Sequence, residues 1–239
     1  MAKEQSKNLE LTPARIGVGR AGTRPTTSAW LAFRADHARA RDAVSSELSL
    51  EFLQKMQSEF DCFLVESACC NRDDFIRFPP KGKKTKPEAL ELLRANCPAG
   101  CDVQILVSDG LSAKAVEANL PDLLPILLDG LKLEGISYGR HIIARLARVA
   151  IGDEIAHELK SRIVINLIGE RPGLSTDESL SAYITLNPGP KTISSDRTVV
   201  SNIHKQGTPA LEAGAYIVQL VKKIFKFNLS GVKLQQVDH

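Results

Sequence analysis

What this chain lacks narrows its identity before any motif is read. No apolar run approaches the roughly 20 residues that span a bilayer. The first residues, Met1-Ala2-Lys3-Glu4-Gln5-Ser6-Lys7-Asn8, are polar and lack the apolar centre of a secretory signal. There is no disulfide framework, because Cys62, Cys69, Cys70, Cys97 and Cys101 are odd in number and contain no CxxC pair. There is no large excess of either charge: a net charge of +3 over 239 residues does not call for a polyanionic partner. Aromatic residues make up only 5%, so stacking platforms for nucleic-acid bases are scarce. The expectation is a cytosolic protein with reduced thiols, without membrane or nucleic-acid partners. Cys97 and Cys101 form a loose pair, but no second ligand pair at finger-like spacing accompanies them, so no metal site is expected. GxSxG, GxxxxGK[ST] and HExxH are also absent, which removes the common hydrolase, phosphate-loop and zinc-protease chemistries.

What is present is an ordinary globular balance, 43% hydrophobic and 25% charged. Residues 1–14 read as a polar tail ending at Pro13. Arg15 to Pro25 contains a literal GxGxxG at Gly17, Gly19 and Gly22, but no full strand precedes it and no second strand follows closely. A dinucleotide fingerprint needs that βαβ setting, so the stretch is read as a glycine-rich turn presenting Arg20 and Arg24 to carboxylates or phosphates. Pro25 and Thr26-Thr27 then start a helix whose Trp30, Phe33, His37, Ala40 and Val44 recur at helical spacing. His37 on that stripe reads as a core histidine. A second helix covers about Leu50 to Phe60.

The basic, proline-bounded run from Pro79 to Pro87 reads as a solvated linker. Beyond it, strand and helix alternate. Strands are expected at Asp102–Val107, Ile142–Val149, Ile163–Ile168 and Tyr183–Leu186, and helices at Glu88–Asn96, Ala113–Asn119, Pro121–Leu133, Asp153–Lys160 and Pro209–Phe227. That alternation predicts an α/β fold, a doubly wound, mostly parallel, Rossmann-like sheet, preceded by a small helical domain. The expected division is 1–78 for the helical domain with its tail, 79–88 for the linker and 89–239 for the α/β domain.

In such sheets ligands sit at the carboxyl ends of the strands. Polar clusters occur at Ser108-Asp109-Gly110, at Arg148 to Asp153, at Gly169-Glu170-Arg171-Pro172 and at Val199 to His204. Facing one edge, they make a ligand rim rich in backbone groups with one carboxylate, suited to holding a large amide-rich ligand. Ser108, Asp109 and His204 can be drawn as a triad, but nothing in their spacing favours it, and no catalytic residue is expected.

Gly19 to Pro25, Asp36 to Asp42, Ser108 to Ser112, Ile168 to Leu174, Ser179 to Ser181 and Ser201 to His204 together resemble the ethanolamine ammonia-lyase small (light) subunit, from about residue 15 to the C-terminus. The resemblance implies an adenosylcobalamin-dependent lyase converting ethanolamine to acetaldehyde and ammonia by a radical route. It implies a large catalytic subunit, a TIM barrel carrying the substrate pocket, within a higher hetero-oligomer, with this chain capping the cobalamin at the interface. The family's cobalamin contacts fall on Val149, Glu170 and Val199, with no metal ligand on this chain. Members of the family the chain resembles can have Cys at the position of Val199, so a backbone contact would survive there but a thiol contact would not. No Asp-x-His-x-x-Gly motif occurs, which fits a cofactor held with its own base attached. The expected location is the cytosol, with enclosure in a bacterial microcompartment left open because the chain starts close to the glycine turn.

Overall fold

The computed structural model describes residues 18–238; the tail read at 1–14 and Gly17 of the glycine turn lie outside them. A short hairpin, β1 (Arg20–Ala21) and β2 (Arg24–Pro25), turns at Gly22, whose φ of 67° suits glycine. It leads into helices α1 (Thr27–Ser45) and α2 (Leu50–Phe60). The glycine stretch therefore makes an isolated hairpin with Arg20 and Arg24 exposed, and no strand of the main sheet feeds it.

The main sheet contains β3 (Phe63–Glu66), β4 (Val103–Ser108), β5 (Ile142–Arg145), β6 (Ile163–Gly169), β7 (Leu180–Leu186) and β8 (Arg197–Ile203). Across the sheet the order is β3-β5-β4-β6-β7-β8. Neighbours from β3 to β6 are parallel, and β7 is antiparallel to both β6 and β8. Between the strands run α3 (Arg72–Arg77), α4 (Pro87–Asn96), α5 (Ala113–Leu133) and α6 (Ile151–Glu158), and after β8 come α7 (Ala210–Phe227) and α8 (Val232–Gln235). The fold is thus mixed α/β, with a mostly parallel sheet.

Helices cover both faces. One core joins Phe52, Leu53 and Met56 of α2, Leu120, Leu124 and Leu127 of α5 and Ile217, Val221 and Ile224 of α7 to Ile105, Ile165 and Ile184. The other joins Leu93 of α4 and Ile151 and Ile155 of α6 to Leu106, Ile142 and Val164. β6 is buried along its whole length, which is why its sequence is a continuous apolar run. Sharing of the first core by α2, together with β3 at the sheet's edge, ties residues before 78 into the same sheet.

Several expectations change. The helices read at Ala113–Asn119 and Pro121–Leu133 are one helix with Pro121 and Pro125 inside it. Each proline removes one donor, but the burial of Leu120, Leu123, Leu124, Leu127 and Leu131 along the same helix outweighs that loss. The strand read to Val149 stops at Arg145, because Leu146 takes a left-handed φ of 53° and turns the chain out of the sheet. The segment between β6 and β7, residues 170–179, is too short to hold a crossover helix, so β7 returns antiparallel.

His37 is exposed and does not lie in the core. The stripe it shares is open too, with Trp30 and Phe33 at 47% and 42% exposure. Its ring stands 6.3 Å from that of Phe33. Cys62, Cys69 and Cys97 are buried free thiols, whereas Cys70 is exposed. The basic linker is fastened down: Lys81 pairs with Asp74, Lys84 with Glu154 and Lys86 with Glu66, and Arg148 donates its N–H to the Gly82 carbonyl at 2.7 Å. Carboxylates of the chain itself engage these ammonium groups.

Candidate functional site

The register places Ser108, Ala144 and Ile168 side by side, with Gly169 beside Leu180 and Leu180 beside Ile203. The carboxyl ends of β4, β5, β6 and β8 therefore share one edge, as expected. Asp109, at the end of β4, is buried there and accepts from the N–H groups of Leu146 at 2.9 Å and Ala147 at 3.0 Å. Arg72 approaches it at 3.5 Å while its Nε donates to the Val44 carbonyl at 2.6 Å. Burial pushes the Asp109 carboxyl up from the ordinary value, against the pull of those N–H groups and of Arg72. This hub fixes the turn after β5 and ties the end of α1 to it.

Gly169 is required by contact, since a Cβ there would overlap the Ser112 and Asp109 carbonyl oxygens. Leu111 donates to the Gly169 carbonyl at 3.0 Å, and Glu170 donates its N–H to Ser179 at 2.9 Å. The backbone that carries Glu170 is held from two sides.

Val149, Glu170 and Val199 are brought together, but by a sheet face as well as by the edge. Asn166 of β6, Tyr183 of β7 and Val199 of β8 stand directly across from one another, so their side chains project from the same face. Asn166 donates through Nδ2 to the Val149 carbonyl at 3.1 Å, and its Oδ1 accepts from Ser108 at 2.9 Å. The Tyr183 hydroxyl donates to Glu170 Oε1 at 2.9 Å. Burial first, and the Glu170 carboxylate second, push the Tyr183 hydroxyl up to about 12, so it stays a donor at neutral pH.

Val199 thus sits in the middle of β8, 45% exposed. Among the expected rim positions it alone belongs to the face and not to a strand end. The strip Val149–Asn166–Tyr183–Val199, with Glu170 at its top, lies beside the start of α6, where the helix cover ends. Lower on the strip, Arg197 of β8 pairs with Asp153 of α6. Its Nε and the Ser181 hydroxyl, on the same face, have no hydrogen-bond partner among the described residues.

The groups on offer are specific. The Val149 carbonyl already accepts from Asn166 and from the Gly152 N–H at 3.2 Å, so Val149 has its N–H and side chain to present. Glu170 has its second carboxylate oxygen, Tyr183 its hydroxyl lone pairs and ring, Ser201 an exposed hydroxyl, and Val199 a methyl surface. This set of acceptors, two donors (the Val149 N–H and the Ser201 hydroxyl) and an apolar surface suits a broad ligand edged with primary amides.

The triad does not form. Ser108 is bonded to Asn166, Asp109 to backbone, and His204 to Asn202 at 2.8 Å and to the Gln206 N–H at 3.2 Å. Among the described residues no group of three or more His, Cys, Asp or Glu side chains is placed to hold a metal, and no helix is long and apolar enough to cross a membrane.

Sequence reasoning missed Asn166 and Tyr183. One signal for Asn166 was available: it is the lone polar residue inside the apolar run from Ile163 to Ile168.

Comparison with known proteins identifies the family. The family model described as ethanolamine ammonia-lyase light chain matches residues 3–235. The ethanolamine ammonia-lyase small subunit of Fusobacterium nucleatum is 46% identical over 233 residues, covering 98% of this chain and 78% of the relative. That of Clostridium tetani is 47% identical over 234 residues, again covering 98% and 78%. That of Clostridium acetobutylicum is 42% identical over 233 residues and is matched over 95% of its own length. With the family model matching residues 3–235 and relatives above 40% identical along nearly the whole chain, this chain belongs to the ethanolamine ammonia-lyase small (light) subunit family.

Proposed function

We propose that this chain caps adenosylcobalamin as the small subunit of an ethanolamine ammonia-lyase, a carbon–nitrogen lyase that releases acetaldehyde and ammonia. Its partner is a large catalytic subunit built as a TIM barrel, and the two assemble into a higher hetero-oligomer. The assembly resides in the cytosol, with enclosure in a bacterial microcompartment a further part of the same proposal. The Rossmann-like portion, 89–239, carries the capping surface.

The observation that carries this reading is the strip across β6, β7 and β8, buried at Asn166 and partly open at Tyr183 and Val199. It unites Val149, Glu170 and Val199, which are scattered over 51 positions of sequence, through Asn166 and Tyr183. When bound, adenosylcobalamin supplies the organic radical that begins the elimination. Glu170 accepts an amide N–H of the ligand's rim through its free oxygen, a charge-assisted bond. The Val149 N–H donates to an amide carbonyl. Val199 and the Tyr183 ring form the apolar floor, and covering them with the ligand excludes water from the interface. This chain contributes no acid, base or nucleophile.

The test is acetaldehyde release from ethanolamine and adenosylcobalamin by the co-expressed subunits and by each alone. Activity in the co-expressed sample only is expected. Full activity of the large subunit alone would overturn the reading.

A further inference from the structure

We infer that Tyr183 is a positioning residue for the cofactor contact of Glu170: its hydroxyl fixes the carboxylate on the strip so that the second oxygen faces the ligand. The inference deepens the reading above and rests on it. Two observations carry it. The Tyr183 hydroxyl meets Glu170 Oε1 at 2.9 Å, and no other side chain binds that carboxylate among the hydrogen bonds of the described residues. Tyr183 also stands between Asn166 and Val199 in register, so its ring lies under any ligand that touches both Val149 and Val199.

The geometry explains why a tyrosine is needed. Glu170 has a fixed backbone, through its N–H to Ser179 and the close packing of Gly169, but three side-chain torsions. Left alone, its carboxylate would sample several rotamers and lose part of its affinity to ordering. The phenol is a rigid donor with two torsions of its own and a ring wedged on the sheet, so it holds one carboxylate oxygen in place at little further cost. The raised hydroxyl of Tyr183 keeps its proton across the working pH range, and the donor is always present.

The experiment measures equilibrium binding of cyanocobalamin, an unreactive corrinoid, to the assembled complex of this chain with its large subunit. Retained corrin absorbance after ultrafiltration is the readout, alongside thermal melting and the KM for ethanolamine at saturating adenosylcobalamin. Tyr183→Phe and Glu170→Gln are each expected to raise the corrinoid Kd roughly tenfold, the scale of one hydrogen bond to a charged group. The double variant should be no weaker than the worse single variant, because the two residues act as one unit. Ethanolamine KM should stay unchanged, since a merely structural defect would move melting and KM together.

Glu170→Asp supplies an independent arm: the shorter carboxylate falls out of reach of the hydroxyl and should bind as weakly as Glu170→Gln. Wild-type affinity for Glu170→Asp, or for Tyr183→Phe while Glu170→Gln is weakened, overturns the positioning role and leaves the cofactor reading standing. Effects that multiply in the double variant overturn it too. Unchanged affinity in every variant overturns the cofactor reading itself.

Discussion

Two carboxylates stand at the same edge of the sheet and behave in opposite ways. Asp109 is 1% exposed and accepts from two backbone N–H groups and from Arg72. Glu170, at the end of the neighbouring strand, is half-buried and, among the described residues, accepts a side-chain hydrogen bond from Tyr183 alone. The first has its hydrogen-bonding capacity filled by the chain and serves the fold. The second has an oxygen left over, the one the proposed ligand contact uses. Sequence position does not separate them, since both follow a strand and both adjoin a glycine. Hydrogen-bond occupancy does.

The largest expected effect breaks the filled member of the pair. Asp109→Ala would leave the Leu146 and Ala147 N–H groups and a buried guanidinium without their partner, costing about 3–5 kcal/mol of stability. Urea denaturation of the assembled complex checks this. A loss under about 1 kcal/mol would mean that the hub is dispensable. The same site yields a pH signature. Because burial raises the Asp109 carboxyl in the native state, the folded chain holds this proton more tightly than the unfolded one. Native protein then binds more protons in the window above the ordinary value of 3.8, and stability falls as pH rises through it. Relative to Asp109→Asn, the wild type should lose stability from about pH 4 upward. A relative gain would show that Arg72 pairing outweighs burial.

A smaller effect is expected from the link between the two regions. Asn166 reaches from the buried Ser108 hydroxyl to the Val149 carbonyl. Asn166→Ala leaves Ser108 without that acceptor and opens a small cavity, at a cost of about 1–3 kcal/mol. It should also loosen Val149 and so weaken corrinoid retention. If stability falls while retention is untouched, Asn166 belongs to the fold only.

How much of this was legible follows the same divide. The apolar run of β6 is a local pattern, and it and the helices read at Leu50–Phe60 and Pro209–Phe227 form close to where the sequence indicates. The uninterrupted α5 was not legible, because the prolines argue locally while the leucines that overrule them act through tertiary burial. Strand direction has no residue signature at all; only the short 170–179 segment hinted that β7 must return. The strip was harder still. Val149, Glu170 and Val199 came from resemblance, and nothing in their spacing shows that Tyr183 and Asn166 stand between them, because cross-strand register depends on the whole sheet.

On the unfilled side of the comparison, Glu170→Ala should barely move stability, by less than about 1 kcal/mol, since it removes one partly exposed hydrogen bond. Its expected signature is a roughly tenfold higher cobalamin requirement with ethanolamine KM unchanged. A melting loss as large as that of Asp109→Ala would erase the distinction between the two carboxylates.

The smallest effect is expected at Val199, and it sharpens what the strip offers. Its side chain lies on an edge strand, 45% exposed, with Val200 turned into the opposite core. A Cys at this position would offer the ligand a thiol of similar size in place of methyl groups. If the contact is backbone and surface area, Val199→Cys changes corrinoid Kd by no more than about twofold, because little buried area is lost and a thiol is a weak hydrogen-bond donor. If a thiol there engages the ligand, the same substitution tightens binding by tenfold or more. Cyanocobalamin titration of the Val199→Cys complex separates the two, and the partial exposure of Val199, which limits the area it can bury, favours the smaller change.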